Sequence, residues 1–221
     1  LTPEKLQALH QYSLLREDKR GVSILVVGEN AIKMMTVGGG SSSLKAQREI
    51  LPLDGLQNQL SIFNFQFSIN YARGYVGDTI LSYNGVTVGR SLYETRTQAE
   101  LTAEAVAKAK EADVVIFIGG LNKSDHQDCE GHDRQSYDLP YAQNEVIEAI
   151  LKVNPRLVYV NISGNPSALP WLSKVPAVLQ AWFIGSEAGE AIASVLFGDV
   201  NPSGKLPFTW YASLDQRGAH A

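Results

Sequence analysis

Cysteine is almost absent from this sequence, and other features that would narrow the class of protein are missing too. The 221 residues include one cysteine, Cys129, so no internal disulfide and no CxxC site can form. No apolar run approaches the ~20 residues that cross a bilayer, and the N-terminal stretch LTPEKLQALHQYS lacks the apolar core of a signal peptide. The formal net charge is −4 with no basic run, which excludes an electrostatic footprint for nucleic acid or an anionic membrane. We therefore expect a globular protein with a neutral or polar small-molecule partner.

Short apolar runs predict the strands of a buried parallel sheet. The chain is 44% hydrophobic and long enough for a sizeable core. The runs are nearly continuous rather than alternating, which is typical of strands covered on both faces. Four are clear and a fifth is less regular: Val22–Val27, Val114–Ile118, Leu157–Ile162, Val178–Trp182 and, fifth, Phe63–Ile69.

Helical signals fall between these runs. Thr97-Gln98-Ala99-Glu100 is a capping-box pattern that predicts a helix to about residue 112. A second helix is predicted from Pro140 in its first turn to residue 153, and a third from a cap at Ser186 to Gly198. Because strands and helices alternate, we expect an open α/β sheet with helices on both faces. The segment Asn70–Thr95 is interpreted as a surface loop with a short hairpin and no assigned chemistry.

The remaining residues cluster in three loops that each follow a predicted strand: Gly28–Ser43, Gly119–Leu139 and Ser163–Pro170. Ligands of open α/β sheets bind outside the carboxyl ends of the strands, so these loops should share one edge of the sheet. The charge-rich stretch DCEGHDR, residues 128–134, lies in the second loop.

The glycine-rich stretch of the first loop, Gly38–Ser43, invites comparison with phosphate-binding turns. Its glycines lie about ten residues beyond the strand, and neither GxxxxGK[ST] nor a GxGxxG beside the strand is present. This spacing argues against a nucleotide site. A tight loop that brings backbone close to another surface fits better.

The spacing of residues gives little support to two further kinds of site, a serine-hydrolase nucleophile and a zinc site. In GSEAG, residues 185–189, the serine stands one place too early for the GxSxG of a serine hydrolase. A zinc site would need four converging ligands, and candidates crowded into eight residues cannot all converge. We therefore expect no metal and no cofactor. The residues with zinc-ligand chemistry are His126, Asp128, Cys129, His132 and Asp133.

Glu130 has the position that a mobile general acid needs. It lies beside Gly131 on a loop at the expected binding edge, and Asp133 could pair with Arg134 to stiffen the return of the loop. From spacing alone, an ordinary solvated turn is the commoner explanation, because charge-rich loops are frequent.

A run of motifs, in order along almost the whole chain, resembles the C-terminal α/β sandwich domain of family 3 glycoside hydrolases. Any one of them is weak, whereas ten in sequence at compatible spacing are specific. They include VVGENA at 26–31, GGGSSSLKA at 38–46, PLDGL at 52–56, ADVV at 112–115, CEGHDR at 129–134, LP at 139–140, GNP at 164–166, PW at 170–171, the block AWFIGSEAGEAIASVLFGDVNPSGKLPFTW at 181–210 and GAH at 218–220.

The resemblance implies an α/β three-layer sandwich with an open, mostly parallel sheet of six strands, the LPFTW segment at 206–210 contributing one of them. It also implies exo-acting hydrolysis of terminal β-glucosides or β-xylosides with net retention, for which two carboxylates are required. The family carries its nucleophilic Asp on a preceding (β/α)8 barrel, and its acid/base Glu corresponds to Glu130. When barrel and sugar exclude water, the pKa of Glu130 should rise toward about 6.

The same resemblance places the GGGSS loop beside the mouth of the active site. We assign a substrate-binding or active-site-loop role to six residues in addition to Glu130: Gly40, Ser41, Ser42, His126, Asp133 and Arg134.

A (β/α)8 barrel takes about 250 residues, more than this chain contains. We therefore expect residues 1–221 to be one sandwich domain of a larger enzyme, inactive alone, whose partners are the missing barrel, an oligo- or aryl-glycoside and possible further copies in a homo-oligomer. Analogy with exported relatives implies a periplasmic or extracellular location. The alternative is a free-standing carbohydrate-binding or interaction module that has the fold and no catalysis.

Overall fold

Strands and helices alternate along most of the chain. The computed structural model describes residues 21–61, 67–90 and 92–216. Its helices and strands are β1 (Val22–Val27), α1 (Pro52–Ser61), β2 (Phe67–Ala72), β3 (Ser82–Tyr83), β4 (Val86–Thr87), α2 (Gln98–Glu111), β5 (Val114–Gly120), α3 (Gln143–Leu151), β6 (Leu157–Ile162), β7 (Ala177–Gln180) and α4 (Ala188–Leu196). None of the described helices is long and apolar enough to cross a membrane.

The main sheet has five strands in the order β2-β1-β5-β6-β7, and every neighbouring pair is parallel. Along β1, Val26 belongs to the core on one face and Val27 to the core on the other. Helices α1 and α4 cover the first face, and α2 and α3 cover the second. The predicted three-layer α/β sandwich is therefore confirmed, and double coverage explains why the strands are continuously apolar.

The predicted count of six strands is wrong for the described residues, because the LPFTW segment at 206–210 forms no strand. Its side chains hold it instead. The ring of Phe208 packs edge-on against Trp182 with centroids 5.7 Å apart, and Trp210 Nε1 donates to the carbonyl of Ser167 at 2.8 Å. Pro207 also has no N–H to donate to a ladder, which disfavours pairing with a neighbouring strand.

Two strand boundaries differ from the predicted ones. The strand predicted at Val178–Trp182 is β7, which ends at Gln180, before Trp182 turns into the left-handed region with φ 58°. The fifth strand, predicted from Phe63, is β2, which begins at Phe67; residues 63–66 of that prediction lie outside the described ranges.

Local sequence signals predicted the start of α2 correctly, but not the starts of α3 and α4. The capping box of α2 is present: Thr97 accepts from the backbone N–H of Glu100, whose carboxylate accepts from the N–H of Thr97 at 2.8 Å. Ser186, in contrast, does not cap α4, and its carbonyl accepts from Ile50 N at 2.8 Å instead. Helix α3 starts later than predicted, at Gln143, because Tyr141 has left-handed backbone with φ 61°.

Helix α1 was not predicted, and it packs against α4 through glycine. A Cβ added to Gly55 would collide with the backbone of Gly189, and one added to Gly189 would collide with the carbonyl of Leu51. The two helices therefore approach backbone to backbone, which allows both to lie on the same face of the sheet.

The prediction of a surface loop over Asn70–Thr95 is wrong at its start, because Asn70–Ala72 belong to β2. The predicted hairpin is present, since β3 and β4 pair antiparallel around a turn at Asn84-Gly85. Ser23 and Asp113 join β1 to the start of β5 across 90 residues of sequence: Ser23 N donates to the Asp113 carboxylate at 2.8 Å. Two inner strands of the sheet, β1 and β5, are thus joined by a contact between residues far apart in the sequence.

Candidate functional site

An open groove of about 830 Å³ lies at the carboxyl edge of the sheet. The loops after β1, β5 and β6 line it, here called the first, second and third loops, and their predicted common edge is confirmed. Lining residues with polar or charged side chains include Ser41, Ser42, Lys123, Asp128, Glu130, Asp133, Arg134 and Asn165.

The first loop approaches the second loop so closely at Gly39 and Gly40 that neither position has room for a side chain. Gly39 and Gly40 have φ values of 79° and 85°, in the region that favours glycine. A Cβ added to Gly39 would lie 2.6 Å from Cε of Lys123, and one added to Gly40 would lie 2.6 Å from Cβ of Glu130. The predicted close approach of this backbone to another surface is confirmed.

Glu130 is exposed, and the first loop holds its side chain. Its carboxylate accepts the backbone N–H of Ser41 at 2.6 Å, and its own N–H donates to the carbonyl of Gly39 at 3.2 Å. The hydrogen bond from Ser41 stabilises the ionised form, so it holds the pKa of Glu130 below its ordinary value of 4.5. The rise toward 6 was expected only under a barrel and a sugar and stays a prediction.

Two side chains, those of Asp128 and Arg134, tie the second loop to the third. The carboxylate of Asp128 accepts the N–H of Gly164 at 2.7 Å and the side-chain amide of Asn165. Arg134 donates to the carbonyl of Pro166 at 2.7 Å. The predicted pairing of Arg134 with Asp133 is wrong, because the guanidinium is used by backbone carbonyls, the second being that of Ser136.

The histidines of the second loop form an exposed stack. The rings of His126 and His132 lie 5.4 Å apart, His132 Nδ1 contacts Asp125, and His126 Nδ1 lies 3.2 Å from the carbonyl of Asp133. His126 therefore braces the loop from outside the groove lining, whereas Asp133 lines the groove. In the described part of the chain, no three His, Cys, Asp or Glu side chains are arranged to hold a metal ion.

A buried cluster of charges lies at the root of the second loop. Arg73 Nη2 contacts Glu29 at 2.6 Å, and Lys33 Nζ contacts Asp78 and donates to the hydroxyl of Ser124 at 3.0 Å. All four charged side chains are at least nine-tenths buried. This cluster fixes Ser124, where the second loop leaves the sheet edge, to the ends of β1 and β2.

Sequence reasoning missed this cluster and two groove residues, Lys123 and Asp128. Arg73 and Asp78 belong to a segment that was assigned no chemistry, and Asp128 was weighed only as a metal ligand. The available signal was local: Asp128 is two residues from Glu130, in the same charge-rich stretch.

We predict that Glu130 titrates below 4.5 in the isolated chain, measured from its carboxyl ¹³C resonance, because Ser41 donates to the ionised form. The bond to the carboxylate is complete at neutral pH and is lost as pH falls through the lowered pKa. Gly40→Ala should displace Glu130 and raise its pKa toward the ordinary value.

Gly131→Ala is the matched control for that titration. Gly131 also has a left-handed φ, 87° against 85°, but a Cβ there would meet nothing within 4 Å. Both variants should suffer similar backbone strain, while the Glu130 pKa changes only in Gly40→Ala. Equal pKa values in the two variants would contradict the contact between Gly40 and Glu130.

Comparison with known proteins agrees with this architecture. The family model for the glycosyl hydrolase family 3 C-terminal domain matches residues 14–220. The β-glucosidase BoGH3A of Bacteroides ovatus is 47% identical over 203 residues, which cover 89% of this chain and 25% of that protein. The chain therefore spans a quarter of the length of this relative.

Solved structures give the same result. The β-glucosidase EmGH1 from Erythrobacter marinus has a TM-score of 0.66 at 33% identity, and the match covers 88% of this chain and 27% of that one. The Kluyveromyces marxianus β-glucosidase in complex with glucose has a TM-score of 0.73 at 21% identity, covering 87% and 39%, and shows the shared fold. On the match over residues 14–220, this chain belongs to the family of glycosyl hydrolase family 3 C-terminal domains.

Proposed function

We propose that this chain is the acid/base-contributing domain of an exo-acting retaining β-glycosidase that hydrolyses terminal, non-reducing β-linked glucosides or xylosides. The observation that carries the proposal is the position of Glu130. Its carboxyl group is exposed at the groove of the sheet edge and accepts a hydrogen bond from Ser41 N. A carboxyl group in that position can meet a glycoside brought to the groove by another domain.

Retaining hydrolysis needs two carboxylates with different roles. Glu130 protonates the leaving oxygen as the glycosidic bond breaks and a covalent glycosyl-enzyme forms. It then removes a proton from the water that releases the sugar. The nucleophile belongs to a preceding barrel outside this chain, so the isolated domain is expected to be inactive.

The surroundings of Glu130 must change before it can act as an acid. In the chain alone, hydrogen bonding from Ser41 lowers the pKa of Glu130, so the group is ionised at neutral pH. Covering the groove removes water from the carboxylate, which disfavours the charged form and raises the pKa. The barrel thus has a second role, since it prepares the acid as well as supplying the nucleophile.

The test is chemical rescue of Glu130→Ala in the complete enzyme. On an aryl glucoside with a good leaving group, the glycosyl-enzyme still forms, but no base activates water. Added azide should attack the anomeric carbon, displace the nucleophilic aspartate and give a β-glucosyl azide, detected by NMR. Azide needs no proton removed, so turnover should recover.

Glu190→Ala is the control, since Glu190 is an exposed carboxylate on α4, and it should show neither loss nor rescue. If Glu130→Ala retains the kinetics of the parent enzyme, the catalytic assignment fails. The chain would then be better described as a carbohydrate-binding or interaction module.

A further inference from the structure

We propose that Asp128 is the positioning residue for Glu130, because it ties the loop that carries the acid to the rigid end of β6. This inference rests on the proposed function and adds a residue to it. Asp128 contacts no reacting atom in this role, since it acts through the placement of its neighbour.

Both oxygens of the Asp128 carboxylate are occupied by the third loop. Oδ2 accepts from the N–H of Gly164 at 2.7 Å, and Oδ1 accepts from the amide of Asn165. A carboxylate accepts hydrogen bonds at both of its oxygens, and these bonds are stronger than hydrogen bonds between neutral groups. The two bonds converge on one side chain from neighbouring residues, so they fix its direction as well as its distance.

The third loop is itself attached to the sheet. Ser163 is fully buried at its start, its carbonyl accepts from Gln180 Nε2 at 3.0 Å, and its hydroxyl accepts from Asn161 Nδ2 at 3.0 Å. Asn161 and Gln180 belong to β6 and β7. Gly164 therefore presents its N–H to Asp128 from a position that the sheet determines.

The path from Asp128 to Glu130 is short and held at both ends. One residue separates them. The N–H of Asp128 donates to the carbonyl of Asn122 at 3.0 Å, and the N–H of Glu130 donates to the carbonyl of Gly39 at 3.2 Å. The carboxylate of Glu130 accepts an exposed hydrogen bond from Ser41 N, so the placement of this side chain depends mainly on where the backbone lies.

Placement matters because a general acid must stand about 2.6–3.2 Å from the atom it protonates. A displacement of about 1 Å can lower a rate 100-fold. Asp128 is not the acid itself, because both of its oxygens are already used as acceptors. Removing the hydrogen bonds from Asp128 to the third loop should therefore lower activity in the same way as removing Glu130, but by a smaller factor.

The experiment substitutes Asp128→Asn in the complete enzyme and compares aryl glucosides with poor and good leaving groups. The amide keeps the size of the side chain, but it loses the charge and one acceptor group. For the poor leaving group, which requires protonation, kcat/KM should fall by about 10–100-fold, because this ratio reports the step in which the leaving oxygen departs. For the good leaving group, whose departure needs no proton, the loss in kcat/KM should stay below about threefold, whereas kcat should fall because a displaced Glu130 activates water poorly in the second step.

Three references make the outcomes distinct. Asp54 lies on α1, outside the groove lining, and forms an exposed ion pair with Arg90. Asp54→Asn removes the charge from this pair and should leave the rates on both substrates unchanged. Asn165→Ala removes one of the two ties and should give a smaller loss with the same leaving-group dependence. Glu130→Gln should give the largest loss with that dependence.

Equal losses in kcat/KM on both substrates, or no loss, would overturn the positioning role of Asp128 while Glu130→Gln still supports the proposed function. Full activity of Glu130→Gln would instead overturn the proposed function. If Asp128→Asn does not fold, Asn165→Ala decides the matter: a loss that ignores the leaving group, or no loss, would contradict the proposal.

Discussion

Glu130→Gln in the complete enzyme is expected to lower kcat/KM for an unactivated β-glucoside by about 10²–10⁴-fold, the range that positioned general acids contribute. Glutamine has nearly the same shape and keeps an oxygen that can accept from Ser41 N, as the carboxylate does now. It has no proton of suitable acidity for the leaving oxygen. The loss therefore reports proton transfer rather than damage to the loop.

A series of aryl glucosides of falling leaving-group pKa measures this effect. The deficit should shrink as the leaving group improves, because the transition state needs less protonation. Glu145→Gln, which removes an exposed carboxylate from the first turn of α3, should leave the whole series unchanged. A deficit of constant size along the series would argue against Glu130 as the acid.

Arg73→Met is expected to destabilise the chain by about 3–5 kcal/mol, the usual effect of removing one partner from a buried ion pair. Arg73 donates to Glu29 at 2.6 Å and also contacts the carbonyl of Leu92. Glu29 is 1% exposed, and burial raises its pKa although Lys33 and Arg73 oppose the rise. Without the guanidinium, this carboxylate is left with less compensation in a place that water does not reach.

Arg48→Met is the matched control, because Arg48 contacts Glu187 at 3.0 Å with both side chains largely exposed. Exposed pairs contribute about 0–1 kcal/mol, so this variant should unfold near the urea midpoint of the parent chain. An unchanged m-value would show that the midpoint reports stability. Similar midpoints for Arg73→Met and Arg48→Met would show that burial does not decide the effect.

Local signals predicted much of the fold. The bounds of β1 and β6 match the apolar runs, because strands buried on both faces need an unbroken apolar sequence. The start of α2 follows from Thr97 and Glu100, three residues apart. Prediction failed where distant contacts decide: the LPFTW segment is held by Trp182 and Ser167, which its own composition does not reveal.

The candidate site divides in the same way. The alternation of strands and helices predicted the shared edge, since loops after parallel strands meet there. The family resemblance of the ordered motifs then singled out Glu130. The partner of Asp128 lies 36 residues further along the chain, and Lys33 meets Asp78 across 45 residues. No spacing rule connects such pairs, so the residues that tie the second loop to the rest of the fold became visible only in three dimensions.

The pairing of β1 with β5 has a consequence for biosynthesis. Ser23 and Asp113 are 90 residues apart, and β1 lies between β2 and β5 in the sheet. Topologies that depend on contacts of long sequence separation fold slowly, because the intervening chain loses entropy before such contacts form. During synthesis, β1 therefore waits for β5 before its second edge is covered. Over that interval, the open edge of an apolar strand can pair with wrong segments, which exposes the folding chain to misassembly.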